Sequence, residues 1–345
     1  MTLKDGSGNI IDSYTYSTSQ ADSDISIQRQ ADGNGAPTDV WVDGQTGGNP
    51  GSGYTSTSGS GTPSEPSPSP PSPSPPAPTP SPPSPSPPTP TGSTVTRSYQ
   101  AYSLEMKCET ADGVTAGYPV RFTYALVGPD LGNEPRPSSF YYDNGMNPID
   151  CQPTSRNSFS HPNCGSSGRK TNPFCFDRGH LVMANHMDND PTTIYESNYM
   201  TNILPQAAGF NQAGGAWILT EEIIECGRDI ANVQKQETFG GAIFTDTSND
   251  YWWPSHGIRT PEVFWKVIVR HFNDGTTPDV IAWVMPNDYT SIDDLLDTYL
   301  DTVANVQAYT GDAMPELPAT YTETAVAAGV SWIKPSGCDL SRRRA

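Results

Sequence analysis

Between residues 63 and 90 the chain carries sixteen prolines, set mostly among serines and threonines. Proline fixes φ and lacks a backbone donor, so this stretch can neither continue a helix nor join a sheet ladder. It has almost no apolar side chain to bury. Such a run reads as polyproline II, about 3.1 Å per residue and roughly 85 Å when fully extended. It divides the chain, and whatever folds on one side must do so independently of the other. The Ser/Pro/Thr mixture suits an O-glycosylated stalk, with docking of proline-recognising domains as the alternative. The expected organisation is a β fragment over 1–54, a linker over 55–96 and a main domain over 97–345.

All six cysteines (Cys108, Cys151, Cys164, Cys175, Cys226 and Cys338) follow the spacer. Their even number, wide spacing and lack of a Cys-x-x-Cys pair favour disulfides over zinc, and hence an oxidising compartment. Free buried thiols are the alternative. Cys151, Cys164 and Cys175 crowd the segment before residue 177, where at least one bridge is expected to brace it. No stretch approaches the ~20 apolar residues of a membrane span. Met1 leads into Lys-Asp-Gly-Ser with no apolar leader, which sits awkwardly with the cysteine reading.

Net charge is −19 for the chain, and residues 98–345 hold 16 Lys/Arg against 30 Asp/Glu. Such a chain is a poor binder of polyanions through bulk electrostatics. Positive charge has to be local, and Arg136, Arg156, Arg169, Lys170, Arg178 and Arg228 are expected around one cleft.

The chemistry concentrates at Asp177-Arg178-Gly179-His180, followed 31 residues later by Asn211-Gln212 and then by Trp217 and Glu221. These residues supply a general base, a cation, a neutral oxygen ligand for a hard metal and a nearby carboxylate. They are the parts needed to hydrolyse a phosphodiester with one metal ion. The whole stretch, with Asn198, Asn202-x-x-Pro205-Gln206, Asn211 nine residues after Asn202, and Glu221 four after Trp217, resembles the DNA/RNA non-specific endonuclease family. Arg136-x-x-x-Phe140-x-x-Asp143 upstream, and the runs 258–267 and 282–287 downstream, extend the resemblance over roughly 98–310.

The resemblance implies an α+β domain: a mainly antiparallel sheet flanked by helices, with a ββα-metal active-site unit. Strand patterns at 118–127, 239–245, 263–272 and 280–286 alternate with helices near 211–226 and 291–309, in accord with it. It also implies a Mg²⁺-dependent endonuclease, with Mn²⁺ or another divalent cation as a substitute, that cuts DNA and RNA to 5′-phosphate products. A nucleotide phosphodiesterase of the same fold, and a non-catalytic polyanion-binding matrix or adhesion protein, are the alternatives.

In this reading His180 is the general base, oriented through the backbone carbonyl of Asn198. Arg178 and Arg136 clamp phosphate oxygens, with Arg121 or Arg156 as substitutes for Arg136. Asn211 is the metal ligand, or otherwise a helix N-cap. Glu221 holds metal-bound water, with Glu222 as its rival, because Gln-Ala-Gly-Gly-Ala between Asn211 and Trp217 is two residues longer than the family pattern. Asp177 caps the Asp-Arg-Gly-His turn and Asn202 shapes the pocket. His186 is expected outside the site, and His161, His256 and His271 at the surface or in the core. Cys338 is expected to tie the tail back to the domain.

Residues 2–13 alternate as a strand-turn-strand. With Ser26-Ile27-Gln28-Arg29 and Gly47-Gly48-Asn49-Pro50-Gly51 they are similar to the second half of a lamin-tail domain, an immunoglobulin-like sandwich. Half a sandwich exposes its core and edges, so the expectation is a chain truncated upstream that has lost its true start and any export signal. The expected location is secreted, in the extracellular matrix or in the cell wall. The N-terminal module and linker would reach a cell-surface or matrix partner.

Overall fold

The computed structural model describes residues 92–129 and 132–336, together with the backbone of four N-terminal strands: β1 (Thr2–Lys4), β2 (Ile10–Ser13), β3 (Ile25–Ala31) and β4 (Pro37–Thr46). β1 pairs antiparallel with β2 and β3 with β4, each pair forming its own two-stranded sheet. The hairpin expected over 2–13 is the β1–β2 pair. Chain contacts separate Met1–Ser81 from Pro82–Ala345, and the second unit carries the site.

That unit is built on a seven-stranded antiparallel sheet: β5 (Gly92–Ser98), β6 (Tyr102–Ala111), β7 (Val114–Val127), β10 (Val233–Ile243), β11 (Val263–Phe272), β12 (Asp279–Pro286) and β13 (Leu300–Asp301). These are laid down in that spatial order. β5 begins at Gly92, inside the stretch read as linker. β11 and β12 are buried on both faces along most of their length, which is why they read as largely apolar runs, whereas the middle strand β10 begins polar, Gln234-Lys235-Gln236-Glu237. In β11, Phe264 and Ile268 enter one core with Trp217, while Trp265, Val267 and Val269 enter a second core with Val303, Val306 and Met314.

Between β7 and β10 lies the site-bearing excursion. A short pair, β8 (Phe176–His180) and β9 (Ile203–Ala207), forms a separate antiparallel ribbon. Between them runs α1 (Pro191–Ser197), whose Asp190 cap accepts from the Thr192 and Thr193 backbone N–H groups at 2.8 and 3.3 Å. After β9 come α2 (Ala208–Asn211) and α3 (Ala216–Gly227), which completes a ββα unit. The remaining helices are α4 (Trp253–His256), α5 (Val303–Thr310) and α6 (Thr324–Ala328).

Two expected helices are broken. The one near 211–226 splits into α2 and α3, because Gly214 takes φ +91° and a Cβ on Gly215 would meet the Phe210 carbonyl oxygen at 2.1 Å. The one near 291–309 becomes a 3-10 turn over 293–299, then β13 on the sheet edge, then α5 capped by Thr302. Disulfides join Cys108 to Cys151 and Cys164 to Cys175, and Cys226 is also disulfide-bonded. Cys338 lies outside the described residues. Among the described residues no helix is long and apolar enough to cross a membrane.

Candidate active site

The Asp177–His180 segment is a strand, not the turn expected from the motif. β8 pairs residue for residue with β9, Asp177 opposite Gln206 and His180 opposite Ile203. Gly179 is required there, since a Cβ would meet the Gln206 side chain at 2.1 Å. The ribbon delivers His180 to the wall of a cleft of about 630 Å³, lined also by Arg136, Arg178, Asp177, Asn211 and Glu221.

His180 is only 8% exposed. Its Nε2 lies 3.0 Å from Asn198 Oδ1. The Asn198 amide nitrogen donates to the Pro137 and Ser139 carbonyls at 2.9 and 3.1 Å, which turns its oxygen towards the ring. The expected partner, the Asn198 backbone carbonyl, is instead taken by the Tyr141 N–H at 3.1 Å. With Oδ1 as acceptor, the proton sits on Nε2 and Nδ1 keeps its lone pair. Arg136 Nη2 lies 3.4 Å from Nδ1 and 3.5 Å from Nε2, so it approaches the ring rather than one nitrogen. Burial, reinforced by the Arg136 charge, lowers the His180 pKa to about 3.

Phe140 joins the two arginines to the base. Its ring centroid is 5.6 Å from that of His180, and the Arg178 guanidinium lies 4.2 Å above it. Arg178 donates to the Arg156 carbonyl at 2.6 Å, and Arg156 to the Phe140 carbonyl at 3.1 Å. Neither Arg121 nor Arg228 belongs to this group. Arg121 is paired with Asp312 and Glu316, and Arg228 is buried near Glu225 beyond α3. Asp143, third residue of the upstream Arg136 pattern, is 1% exposed and paired with Arg97 rather than facing the cleft.

Asp177 is a hub rather than a turn cap. Its carboxylate accepts from Arg169 at 2.8 Å, from the Asn211 amide at 3.3 Å and from the Gln212 amide at 2.8 Å. Asn211 is the last residue of α2, and the N-cap of α3 is Gly215, so the capping alternative does not apply. With Nδ2 committed to Asp177, Asn211 presents Oδ1 as its acceptor. Asn202 does not line the cleft. It clips Val182 N–H and C=O at 3.0 and 2.8 Å and the Ser197 carbonyl at 2.8 Å, holding the chain just beyond His180 and just before Asn198.

Glu221 is 4% exposed and lines the cleft one helical turn from Trp217. Glu222, its rival, points to Lys334 at 2.9 Å. Sequence reasoning missed the group beneath this helix. Lys266 of β11 is fully buried, with Nζ 3.5 Å from the centre of the Trp217 ring and 2.7 Å from Thr220 Oγ1. Burial lowers its pKa to about 7, opposed by the Glu221 charge. His186 sits outside the cleft, as expected, against Tyr124 and the Glu221 carbonyl. His161, expected at the surface or in the core, instead forms part of the cleft wall.

A sequence profile of the DNA/RNA non-specific endonuclease family matches residues 81–319, most of the chain. The chain belongs to that family. Among solved structures, a chain from the crystal structure of the EndoG/EndoGI complex, described as showing the mechanism of EndoG inhibition, is similar to this endonuclease. Identity is 18% and TM-score 0.42, over 63% of this chain and 83% of that one. No curated protein matches.

Members of this family use a divalent metal ion. Among the described residues of the endonuclease, no group of three or more His, Cys, Asp or Glu could hold one. The donor set fits a hard cation that keeps most of its water: one amide oxygen on Asn211, with the Glu221 carboxylate lining the same cleft.

Proposed function

We propose that this endonuclease hydrolyses phosphodiesters of DNA and RNA in a Mg²⁺-dependent reaction that leaves 5′-phosphates, with Mn²⁺ or another divalent cation as a substitute. The observation that carries this reading is one cleft that holds a histidine whose Nδ1 keeps its lone pair, two arginines, the Asn211 oxygen and a buried glutamate. His180 Nδ1 takes the proton of the attacking water, whose oxygen bonds to phosphorus as the P–O3′ bond breaks. Asn198 keeps the ring oriented and in the Nε2–H tautomer, so Nδ1 stays available. Arg136 and Arg178 bind the non-bridging phosphate oxygens as planar donors. Asn211 would hold the divalent ion and Glu221 its water shell. When bound, that ion supplies charge neutralisation and assistance to the departing 3′ oxygen.

The disulfides support a secreted, matrix or wall location, because such bonds persist in oxidising compartments. The lamin-tail-like module and proline-rich spacer would there engage a surface or matrix partner.

Digestion of plasmid and RNA by the oxidised full chain, with Mg²⁺ or with EDTA, tests the reading. Cleavage of both polymers with Mg²⁺ and none with EDTA is expected. Equal cutting in EDTA would remove the metal from the scheme. Glu221→Gln is expected to lower the rate about tenfold or more, whereas Glu222→Gln, at a residue paired with Lys334 and outside the cleft lining, leaves it unchanged. The reverse ranking would move the carboxylate role to Glu222.

A further inference from the structure

Three aromatic side chains outside both apolar cores form a cluster that reaches the cleft through His161: His161, Phe174 and Tyr251. The His161 and Phe174 rings are parallel within 11°, with centroids 4.8 Å apart. Tyr251, 45% exposed, meets His161 at 4.7 Å and 66°. Phe174 covers one face of the imidazole, Tyr251 flanks it, and the rest of His161 contributes to the wall shared with Arg169, Asp177 and His180. The His161 Nδ1 accepts from the Asn163 N–H at 3.2 Å, which leaves Nε2–H as a donor.

This platform is held rigidly. The Cys164–Cys175 disulfide closes the loop that carries Phe174, and the Asn172 amide donates across it to the Asn163 carbonyl at 3.0 Å. Two of the rings are part-buried and Tyr251 is exposed, resting edge-on against the core residue Trp252, so an aromatic surface is fixed at a polar cleft. A rigid aromatic surface next to phosphate-binding arginines is the arrangement on which unstacked bases settle, at a gain largely independent of base identity.

We infer that His161, Phe174 and Tyr251 form a nucleobase-stacking subsite that makes unpaired strands, DNA or RNA, the preferred substrates over duplex. The inference rests on the nuclease reading. A paired base has both faces covered by its neighbours and cannot use the platform without leaving the helix. An unpaired base can stack there while its phosphate reaches Arg178 and His180.

The test is fluorescence anisotropy of the full chain in EDTA, so that the strand survives, with a labelled single-stranded oligonucleotide, its hairpin duplex, and an abasic strand of equal length. Cleavage of the same strands in Mg²⁺ is followed in parallel. The base-bearing single strand is expected to bind about tenfold or more tightly than the abasic one, and more tightly than the duplex. Tyr251→Ala and His161→Ala should erase most of the abasic difference while keeping affinity for the abasic strand. Equal binding of abasic and base-bearing strands by the unmodified protein overturns the subsite, with no variant needed. So does an undiminished difference in both variants. Base-dependent binding without any cleavage upholds the platform and overturns the nuclease reading, so the two fail separately.

Discussion

Replacing His180 by alanine is expected to slow phosphodiester hydrolysis by ~10²–10⁴-fold, the range contributed by a positioned general base. Affinity for nucleic acid should change little, because the phosphate-binding arginines and the Asn211–Asp177 contact remain. Burial and Arg136 lower the pKa of the ring to about 3, so it is neutral, as a general base must be, at pH values well above that. An anionic phosphate entering beside it raises its proton affinity at the moment a proton is to be accepted. The cleavage rate under single-turnover conditions, with Mg²⁺ and saturating protein, measures the step directly. A His180→Ala protein that cuts as fast as the parent removes this residue from the mechanism.

Acidification is expected to destabilise the domain steeply, through two histidines. His180 and His186 are both buried and neutral, with folded pKa values of about 3 against 6.5 for an unperturbed ring. For His186, Glu225 lies 3.7 Å from Nε2, but Arg228 sits 3.6 Å from the same carboxylate and the site is closed to water. Above pH 6.5 neither state binds the proton and stability is independent of these groups. Between 6.5 and about 3 the unfolded chain binds protons that the folded one refuses. Stability therefore falls with pH by about 1.4 kcal/mol per unit for each histidine. Melting temperatures read from pH 7 to 4.5 should decline throughout the lower part of that range. The His180→Ala protein, whatever its absolute stability, should show a shallower decline by one histidine's share. A melting temperature that stays flat to pH 4.5 contradicts the burial of both rings.

β11 was legible in the sequence because its residues pack on two apolar faces, and a long β-branched and aromatic run has no other economical fold. α3 was legible from the helical pattern near 211–226, and a ββα unit was implied by the family resemblance, but the Asp177–His180 motif reads as a turn where β8 stands. What the sequence hid depends on contacts between distant segments. Asn198 offers a backbone and a side-chain oxygen, and only the Tyr141 and Pro137 contacts decide which one faces His180. The break between α2 and α3 falls at Gly214, whose φ of +91° leaves the helical region, with Gly215 packed against the Phe210 carbonyl. The three donors gathered on Asp177 come from positions up to 35 residues away. Lys266 stayed invisible for a different reason. A lysine in a strand reads as solvent-facing, whereas here the Trp217 face and Thr220 Oγ1 receive its ammonium group.

The strands of the large sheet follow one another in space in their order along the chain, and β7 and β10 are direct neighbours, Phe122 opposite Gly240. Every residue assigned a role in the hydrolysis itself belongs to the single excursion, 128–232, that leaves and re-enters at this pair, whereas Tyr251 of the stacking platform lies beyond it. Both ends of the excursion are anchored side by side whatever lies between them. Its length and content can therefore drift by insertion or exchange at little cost in loop closure and none in sheet register. The scaffold behaves as a socket. An insertion of the kind the family resemblance implies before Trp217 is one such a socket would absorb, and relatives of this domain should vary most in substrate preference between these two strands.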